Sequence, residues 1–457
     1  MFQVKESKVE LQLFQPFARI LTCLEWIGLF PLTLTPDGRQ FLYRKSAILK
    51  SILLIVFIFL CLLSAAYVGF YDTPNIFLIG VQLSKQLGLS QTDFVAFFIV
   101  YPLGFFNMIF HTLEMKRAYH GINEVVQNLI PCCRKTGVTQ KDLKTIYKDT
   151  RCILVGFFIC LLGSWACCFL FQYRIAQVVE SGGKRISNLV LYAGLWSVGT
   201  VIGMFSPNQA VSIFFSVYIT NVINLCMRKF STMMQKERKE YPEMKKTKIS
   251  VVPIPNTSDL NTTFPPNVQT REAEELGTMI HQILEGVSHT FGPLFFMNLG
   301  YSFLCVIVFS FCSINLISPI VGGNFNIPAL VFGGQCLFLL THASHINERL
   351  YQAGQKLKDS SSKIGQSLTE LYLEDYDLMT KSERARFKDV RSRFQNVTPI
   401  RPHNFIDLDV NTYLVTNGLI ITYVIVLLQF KIGEDPNEGS RVFNCSDFNS
   451  SLFQVEN

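Results

Sequence analysis

The sequence predicts an all-α integral membrane protein: a bundle of seven transmembrane helices with a cytoplasmic N-terminus and an extracellular C-terminus. Three observations predict it. Of the 457 residues, 49% are hydrophobic and only 16% charged, whereas about a quarter of the residues in soluble domains are charged. Seven apolar stretches approach or reach the length needed to cross a bilayer. Lys and Arg are concentrated in alternate connections between these stretches.

The seven stretches are the predicted transmembrane spans. A spanning helix needs about 20 mostly apolar residues. The fourth stretch is longer than a bilayer requires, so we expect its inner end to project into the cytoplasm. The sixth is interrupted by Gly333 and Gly334 and is the least continuous. The spans are Ala47–Phe70, Thr92–Leu113, Cys152–Phe171, Leu189–Cys226, Pro293–Leu316, Ile327–Ser344 and Thr412–Phe430.

The orientation follows from the positive charges. Of the 41 Lys and Arg residues, 34 lie in the N-terminal segment and alternate connections, against six on the other side. The side rich in Lys and Arg is the cytoplasmic one. Two glycosylation sequons, at Asn444 and Asn449, follow the last span and therefore fall outside. Three more, at Asn256, Asn261 and Asn396, fall on the predicted cytoplasmic side, where they cannot be used.

Most of the polar mass is predicted in the cytoplasm. The stretch Lys236–Arg271 turns charged and then rich in Pro, Asn and Thr, which indicates a flexible insertion. Apolar residues near helical spacing predict helices over Glu272–Thr290 and His345–Leu378, which would extend spans five and six below the membrane. The predicted regions are a cytoplasmic N-terminal segment (1–46), spans one to four (47–226), an insertion and helix (227–292), spans five and six (293–344), anchor helices (345–411), the last span (412–430) and an extracellular tail (431–457).

No enzyme or cofactor signature is present in the sequence. There is no nucleophile elbow, zinc-protease motif, phosphate-binding loop or dinucleotide fingerprint. His342 and His345 stand three residues apart, but no third metal ligand is in view, so we interpret them as an interfacial pair. The net charge of +7 fits inner loops beside anionic headgroups, and no nucleic-acid partner is predicted.

The last span carries polar residues on one side. Thr422 and Gln429 are seven residues apart and share one helix face, with Val426 between them. Two interpretations remain open from this spacing. The polar stripe packs against neighbouring helices, or it lines a pore in which an apolar ring gates beside a polar ring.

One motif resembles a known family. Thr422-Tyr423, five hydrophobic residues and then Gln429-Phe430 match the signature that insect gustatory receptors carry in their last span. The resemblance implies a multi-pass, ligand-gated, non-selective cation channel of the plasma membrane, without enzymatic activity. It further implies a tetramer of identical or related subunits around a pore lined by the seventh helix. Carried onto this sequence, Gln429 lines the pore, Val426 is the candidate gate, and Thr422 and Tyr423 set the helix against its neighbours.

The resemblance also implies a small-molecule pocket in the outer half of the other helices. Aromatic faces stack on sugars or flat alkaloids, and an amide orients the ligand. Sugar receptors of the family usually carry Glu after the Thr-Tyr pair; this chain has Val424 there. Sugars or polyols, bitter compounds and carbon dioxide all remain open as ligands. The candidate pocket residues are Trp165, Tyr192, Trp196, Phe309, Phe332 and Gln335.

Three other classes compete with this interpretation. A G-protein-coupled receptor would need the opposite orientation, and its Asp-Arg-Tyr and Asn-Pro-x-x-Tyr motifs are absent at the inner end of span three and in span seven. A transporter or membrane enzyme would need charges within the spans or a catalytic cluster. An insect odorant receptor shares the predicted architecture, and only the complete last-span motif favours the gustatory branch.

Overall fold

The protein is a bundle of long helices. A computed structural model describes residues 12–28, 30–71, 91–181, 207–249, 268–321, 327–374, 376, 379–395, 401 and 407–433. The helices in these ranges are α1 Ala18–Ile27, α2 Lys45–Tyr71, α3 Gln91–Lys135, α4 Gln140–Thr150, α5 Cys152–Ser181, α6 Pro207–Ile249, α7 Val268–Val321, α8 Ile327–Glu374, α9 Lys381–Gln395 and α10 Val410–Gly433. A 3-10 turn, Gln15–Phe17, precedes α1, and an antiparallel pair of short strands, β1 Thr33–Leu34 and β2 Phe41–Leu42, follows it.

The all-α prediction is confirmed, and six predicted spans each lie inside one helix, from α2 for the first to α10 for the last. Of the fourth span, 207–226 form the start of α6, and the rest lies outside the described residues. The helix α7 has 54 residues, or about 81 Å of length, against roughly 30 Å of hydrocarbon. The same excess holds for α3, α6 and α8, with 45, 43 and 48 residues. These helices therefore continue well beyond any membrane they cross.

The extended part of the bundle has an apolar core of its own. On α7, four residues at helical spacing are at most 4% exposed: Leu276, Ile280, Ile283 and Leu284. On α8, Ile346, Leu350, Leu357, Ile364 and Leu368 are equally buried. These are positions at which the sequence predicted apolar helix faces. The short helix α9 packs on both helices through Phe387, Val390 and Phe394.

One helix boundary differs from the prediction. The segment expected as a flexible insertion, Lys236–Arg271, begins as helix, because α6 continues to Ile249. Its first part is rich in Lys and Glu, which favour helix, and that preference outweighs the single Pro242. Residues 250–267 lie outside the described ranges. The stretch His345–Leu378, predicted as mostly helical, is helix as far as Glu374.

The N-terminal segment is folded into the bundle. Phe14 is fully buried, and its ring contacts Phe41 and Phe215 at centroid distances of 5.1 and 5.3 Å. The Asn123 amide on α3 binds the backbone of Phe41 as a neighbouring strand would: it accepts from the Phe41 N–H at 2.9 Å and donates to its carbonyl at 3.0 Å. Tyr218 of α6 donates to the Leu13 carbonyl at 2.8 Å. Residues 12–44 therefore close one side of the bundle.

Within the described residues, two helices are long and apolar enough to cross a membrane by composition. One is the Glu274–Leu316 part of α7, whose apolar window is 61% buried inside the chain. The other is Val410–Phe430 of α10, and only 11% of its window is buried. The two helices therefore stand in opposite environments: α7 is the centre of the bundle, and α10 is a peripheral helix with most of its surface uncovered.

Candidate functional site

The last helix starts at a charged cap. Asp409 immediately precedes α10, and its carboxylate accepts from the Thr412 N–H at 2.9 Å, as an N-cap residue does. The same carboxylate pairs with Lys358 of α8, with Nζ and Oδ2 2.6 Å apart. Burial raises the pKa of Asp409, but the hydrogen bonds from Lys358 and Thr412 outweigh it, so the pKa lies below its usual value. The carboxylate is therefore held charged, and it ties the base of α10 to α8.

Three contacts surround this cap and form, together with it, the joint between α8 and α10. The Val410 N–H donates to Gln355 Oε1 at 3.2 Å. The hydroxyls of Tyr351 and Thr416 lie 3.3 Å apart. Gly354 allows the backbones to meet, because a Cβ at this position would lie 2.9 Å from the carbonyl carbon of Leu408. We call Tyr351, Gly354, Gln355, Lys358, Leu408, Asp409, Val410 and Thr416 the α8–α10 joint.

Above the joint, α10 has one covered and one uncovered face. Ile420 and Val424, four residues apart, are each 7% exposed and pack toward the bundle. Thr422 and Gln429 are exposed on the opposite side, with Val426 38% exposed between them. These two residues lie within about 20° of each other around the helix axis. The polar stripe thus does not pack against the helices that the structure describes.

The residues of the last-span motif differ in their surroundings. The Thr422 hydroxyl donates to the Gly418 carbonyl at 2.9 Å, so its hydrogen-bonding capacity is partly met within the helix. Tyr423 is 53% exposed, and its ring meets Phe303 of α7 edge-on at 6.1 Å. Phe430 is 67% exposed. Tyr423 therefore contacts a neighbouring helix of the bundle.

Three candidate pocket residues fall at one level of the bundle. Helices α5 and α8 run antiparallel, and Gly163 of α5 lies against the ring of Phe338. Trp165 follows Gly163 by two residues, so in this antiparallel register its backbone lies at about the level of Gln335. On the other side of α8, the Ser302 hydroxyl of α7 donates to the Ala343 carbonyl at 3.3 Å.

Phe309 follows Ser302 on α7 by two helical turns. Because Ser302 contacts Ala343 of α8, Phe309 also lies at about the level of Gln335. Phe309 is 1% and Gln335 3% exposed, so both side chains are inside the bundle. Trp165 and Phe332 lie in α5 and α8, but their side chains are outside the described residues, as are Tyr192 and Trp196 altogether. The sequons at Asn444 and Asn449 also lie outside them.

Sequence reasoning missed a polar pair between α3 and α7. His111 is fully buried, and its Nε2 lies 2.5 Å from Asn298 Oδ1. Asn107, one turn earlier on α3, is also buried. The spacing of these two polar residues places them on one face of span two, and this pattern could have indicated a polar helix contact. Polar pairs of this kind fix helices against each other in membranes.

The histidine pair of α8 sits at a helix interface. His342 is 7% exposed and packs on the Phe157 ring of α5 at 5.4 Å, and His345 lies against Gly156. Within the described residues, no group of three His, Cys, Asp or Glu side chains is placed to hold a metal ion. The environment of His342 and His345 is that of packing residues.

Long helices bundled around a continuous apolar core, with an apolar last helix left largely uncovered, are typical of helical membrane proteins. A family model described as the seven-transmembrane chemosensory receptor matches residues 18–434. The chain belongs to this family.

Solved structures give the same fold. The chain is similar to the insect olfactory receptor OR5 from Machilis hrabei, with a TM-score of 0.58 and 14% identity over 90% of this chain and 97% of that one. A structure of the same receptor in complex with eugenol covers equal shares, with a TM-score of 0.50 and 12% identity. Such identity establishes the fold alone. The comparison with curated proteins returned no match.

Proposed function

We propose that this chain is a gustatory receptor: a tastant-gated, non-selective cation channel of the plasma membrane in chemosensory neurons, which drives acceptance or avoidance. It assembles as a homo- or heterotetramer, and α10 lines the central pore. The ligand is a small molecule, either a sugar or polyol, a bitter compound or carbon dioxide. Membership of the chemosensory receptor family and the complete last-span motif support this proposal.

The observation that carries the proposal is the uncovered polar stripe of α10. Gln429 and Thr422 face away from the bundle, while Ile420 and Val424 face into it. An unpaired amide costs roughly 2–7 kcal/mol to place in an apolar medium. A helix that turned this stripe toward lipid would bear that cost, whereas a stripe that meets water or a second subunit would not. A pore on the symmetry axis of an oligomer supplies both.

The proposed gate residue lies on the same face of α10. Val426 stands one turn before Gln429 and is 38% exposed. Four copies of a branched apolar side chain around an axis form a constriction that closes by dewetting, and the adjacent amide ring supplies polar contacts to a hydrated cation. The α8–α10 joint holds the base of each pore helix, so a movement of α8 would be transmitted to this ring.

The ligand side of the proposal rests on the shared level of Trp165, Phe309 and Gln335. Helices α5, α7 and α8 contribute one residue each, and Gln335 supplies an amide within an apolar core. The similar olfactory receptor has been solved with eugenol, a small aromatic molecule. A compact ligand bound at this level would contact α8 directly.

An odorant receptor is the second candidate function. The chemosensory family match and the fold fit it as well as they fit a gustatory receptor, and the last-span motif is what favours the gustatory one. The two differ in ligand: a volatile apolar compound for the odorant receptor, and a water-soluble tastant for the gustatory receptor. A carbon dioxide receptor subunit is a further alternative within the same family.

Whole-cell recording tests the channel. Cells expressing the chain, with G-protein signalling blocked, are exposed to sugars, polyols, bitter compounds, bicarbonate and volatile aromatics. We expect a rapid cation current to one ligand class, and that class decides between tastant and odorant. A ligand response that is seen without the G-protein block and disappears under it would contradict the channel mechanism. An inward current that persists when permeant cations are removed from the medium would also contradict it.

A matched pair of variants tests the pore. Gln429→Glu should alter cation selectivity or conductance, because it places a ring of charge at the proposed constriction. Ile421→Ala is the control, since Ile421 is 60% exposed on the same helix but about 100° away from Thr422. Equal surface expression is required of both. Unchanged permeation in Gln429→Glu would remove this residue from the pore.

A further inference from the structure

The first helix has an exposed aromatic face. Leu21 and Leu24 of α1 are at most 2% exposed and pack on the bundle. On the other side Trp26 is 72% exposed and Ile27 55% exposed, beside the exposed Cys23. A large indole that turns away from its own protein marks a contact with something else, and Trp is the residue that concentrates at the boundary between lipid and water.

This aromatic face is fixed at the start of the first transmembrane span. Gly28 ends α1 in the left-handed conformation, with φ of 86°, and a Cβ there would lie 2.6 Å from the Lys50 carbonyl oxygen. The tip of α1 therefore rests directly on the second turn of α2. The uncovered apolar surface of α2 begins at this level, with Leu49 56% and Leu53 58% exposed. Trp26 thus continues the face of α2 that is available to lipid.

One cation lies against the indole, and two more stand at the start of the same span. The Lys50 ammonium lies 4.3 Å from the centroid of the Trp26 ring, a cation–π contact. Arg44 and Lys45, at the start of α2, are exposed. Glu25 is a half-buried carboxylate in the same region of α1, so cations outnumber anions. This combination of an interfacial aromatic ring and cations complements the phosphate and carboxylate groups of anionic lipids.

We infer that Trp26, Ile27, Lys45 and Lys50, the α1 patch, dock on anionic phospholipid headgroups of the leaflet that faces the N-terminus. The indole lies at headgroup depth and the two ammonium groups select anionic over neutral lipid. The inference is independent of the ligand and of pore gating, since it needs only that α2 spans the bilayer. Through Gly28 and Lys50, the lipid would fix the angle at which α1 meets the first span.

Fluorescence of Trp26 tests this directly. The chain has three tryptophans, so Trp165→Phe with Trp196→Phe leaves Trp26 as the sole indole in the full-length protein. The protein is reconstituted in nanodiscs that contain either brominated phosphatidylserine or brominated phosphatidylcholine, in an otherwise neutral bilayer. Two lysines beside the surface should enrich the anionic lipid about tenfold or more. We expect correspondingly stronger quenching by the brominated serine lipid, and weak quenching by aqueous iodide.

Two controls sharpen the result. Lys45→Gln with Lys50→Gln should remove most of the difference in quenching between the two brominated lipids. Leu373→Trp, in a chain without other tryptophans, places an indole at a site that is 68% exposed at the far end of α8 and should respond to iodide alone. If the double Phe variant does not fold, the same quantity is the difference between wild type and Trp26→Phe.

Three results would overturn the inference. Quenching of Trp26 by iodide, as strong as at Leu373→Trp, would place the patch in water. Equal quenching by the two lipids in the protein with both lysines would remove the selectivity for anionic headgroups. No quenching by lipid or iodide would mean that protein covers the indole.

Discussion

The close approach at Gly354 gives a prediction whose sign is opposite to the usual effect of Gly→Ala in a helix. Ala is favoured over Gly by about 1 kcal/mol per residue inside a helix. At Gly354, however, the new Cβ would lie 2.9 Å from both the carbonyl carbon and the Cβ of Leu408, where carbon atoms normally stay about 3.5–4 Å apart. The carbonyl oxygen of Leu408 would lie closer still, so Leu408 must retreat by about 1 Å or more.

The cost can be worked out from the contacts of the α8–α10 joint. A retreat of this size lengthens the Val410–Gln355 hydrogen bond beyond its 3.2 Å and stretches the pairing of Lys358 with Asp409. Each such hydrogen bond contributes about 1 kcal/mol, and overpacking adds roughly 1–3 kcal/mol of strain. After the gain in helix propensity, we expect Gly354→Ala to destabilise the protein by about 2–4 kcal/mol.

Thermal unfolding of the purified protein measures this, with Gly300→Ala as the matched control. Gly300 is also inside a long helix, α7, but a Cβ there meets nothing within 4 Å. We expect the melting temperature to fall for Gly354→Ala and to stay or rise for Gly300→Ala. If both variants shift upward alike, the argument that Gly354 is required for the approach of α10 to α8 is refuted.

Two further predictions concern polar contacts. Asp409→Asn keeps the N-cap but removes the charge. Because the pKa of Asp409 is lowered in the folded protein, its charge stabilises the fold above pH about 4, and this contribution is lost as the pH falls through the folded-state pKa. The free energy of unfolding of the variant, measured against pH, should lack that dependence. At neutral pH it should be about 1 kcal/mol lower than that of the wild type. Asn123→Ala leaves the N–H and carbonyl of Phe41 without the side chain that binds them. The free energy for releasing the N-terminal segment by urea or heat should therefore fall by about 1–3 kcal/mol. A rate of limited proteolysis before Lys45 that is unchanged from wild type would refute this role.

The helices could be predicted from the sequence because apolar length and helical spacing determine them. Ala47–Phe70 lies within α2 almost end to end, and Leu276 and Leu350 are buried where their periodicity indicated. The helix end at Ile249 was missed because proline and charge were interpreted as loop signals, whereas a run of good helix formers tolerates one proline.

Contacts between distant segments could not be predicted in the same way. The pairing of Asn123 with Phe41, and of His111 with Asn298, joins residues far apart in sequence, and their residue types alone do not identify the partner. The outward direction of Gln429 was one of two open interpretations, because periodicity groups residues on a face but does not say which way that face points.

The central claim is that the uncovered face of α10 lines an aqueous ion pathway. Cysteine substitutions at Thr422, Val426 and Gln429, and at Ile421 and Val424 for comparison, can be probed with a water-soluble, charged thiol reagent during current recording. The wild-type chain serves as the reagent control. We expect rapid modification and block of current at Thr422, Val426 and Gln429, and little effect at Ile421 and Val424. Block at the Ile421 or Val424 positions, with the other three unreactive, would contradict the assignment of this face to the pore, and no block at any of the five would contradict α10 as the pore helix.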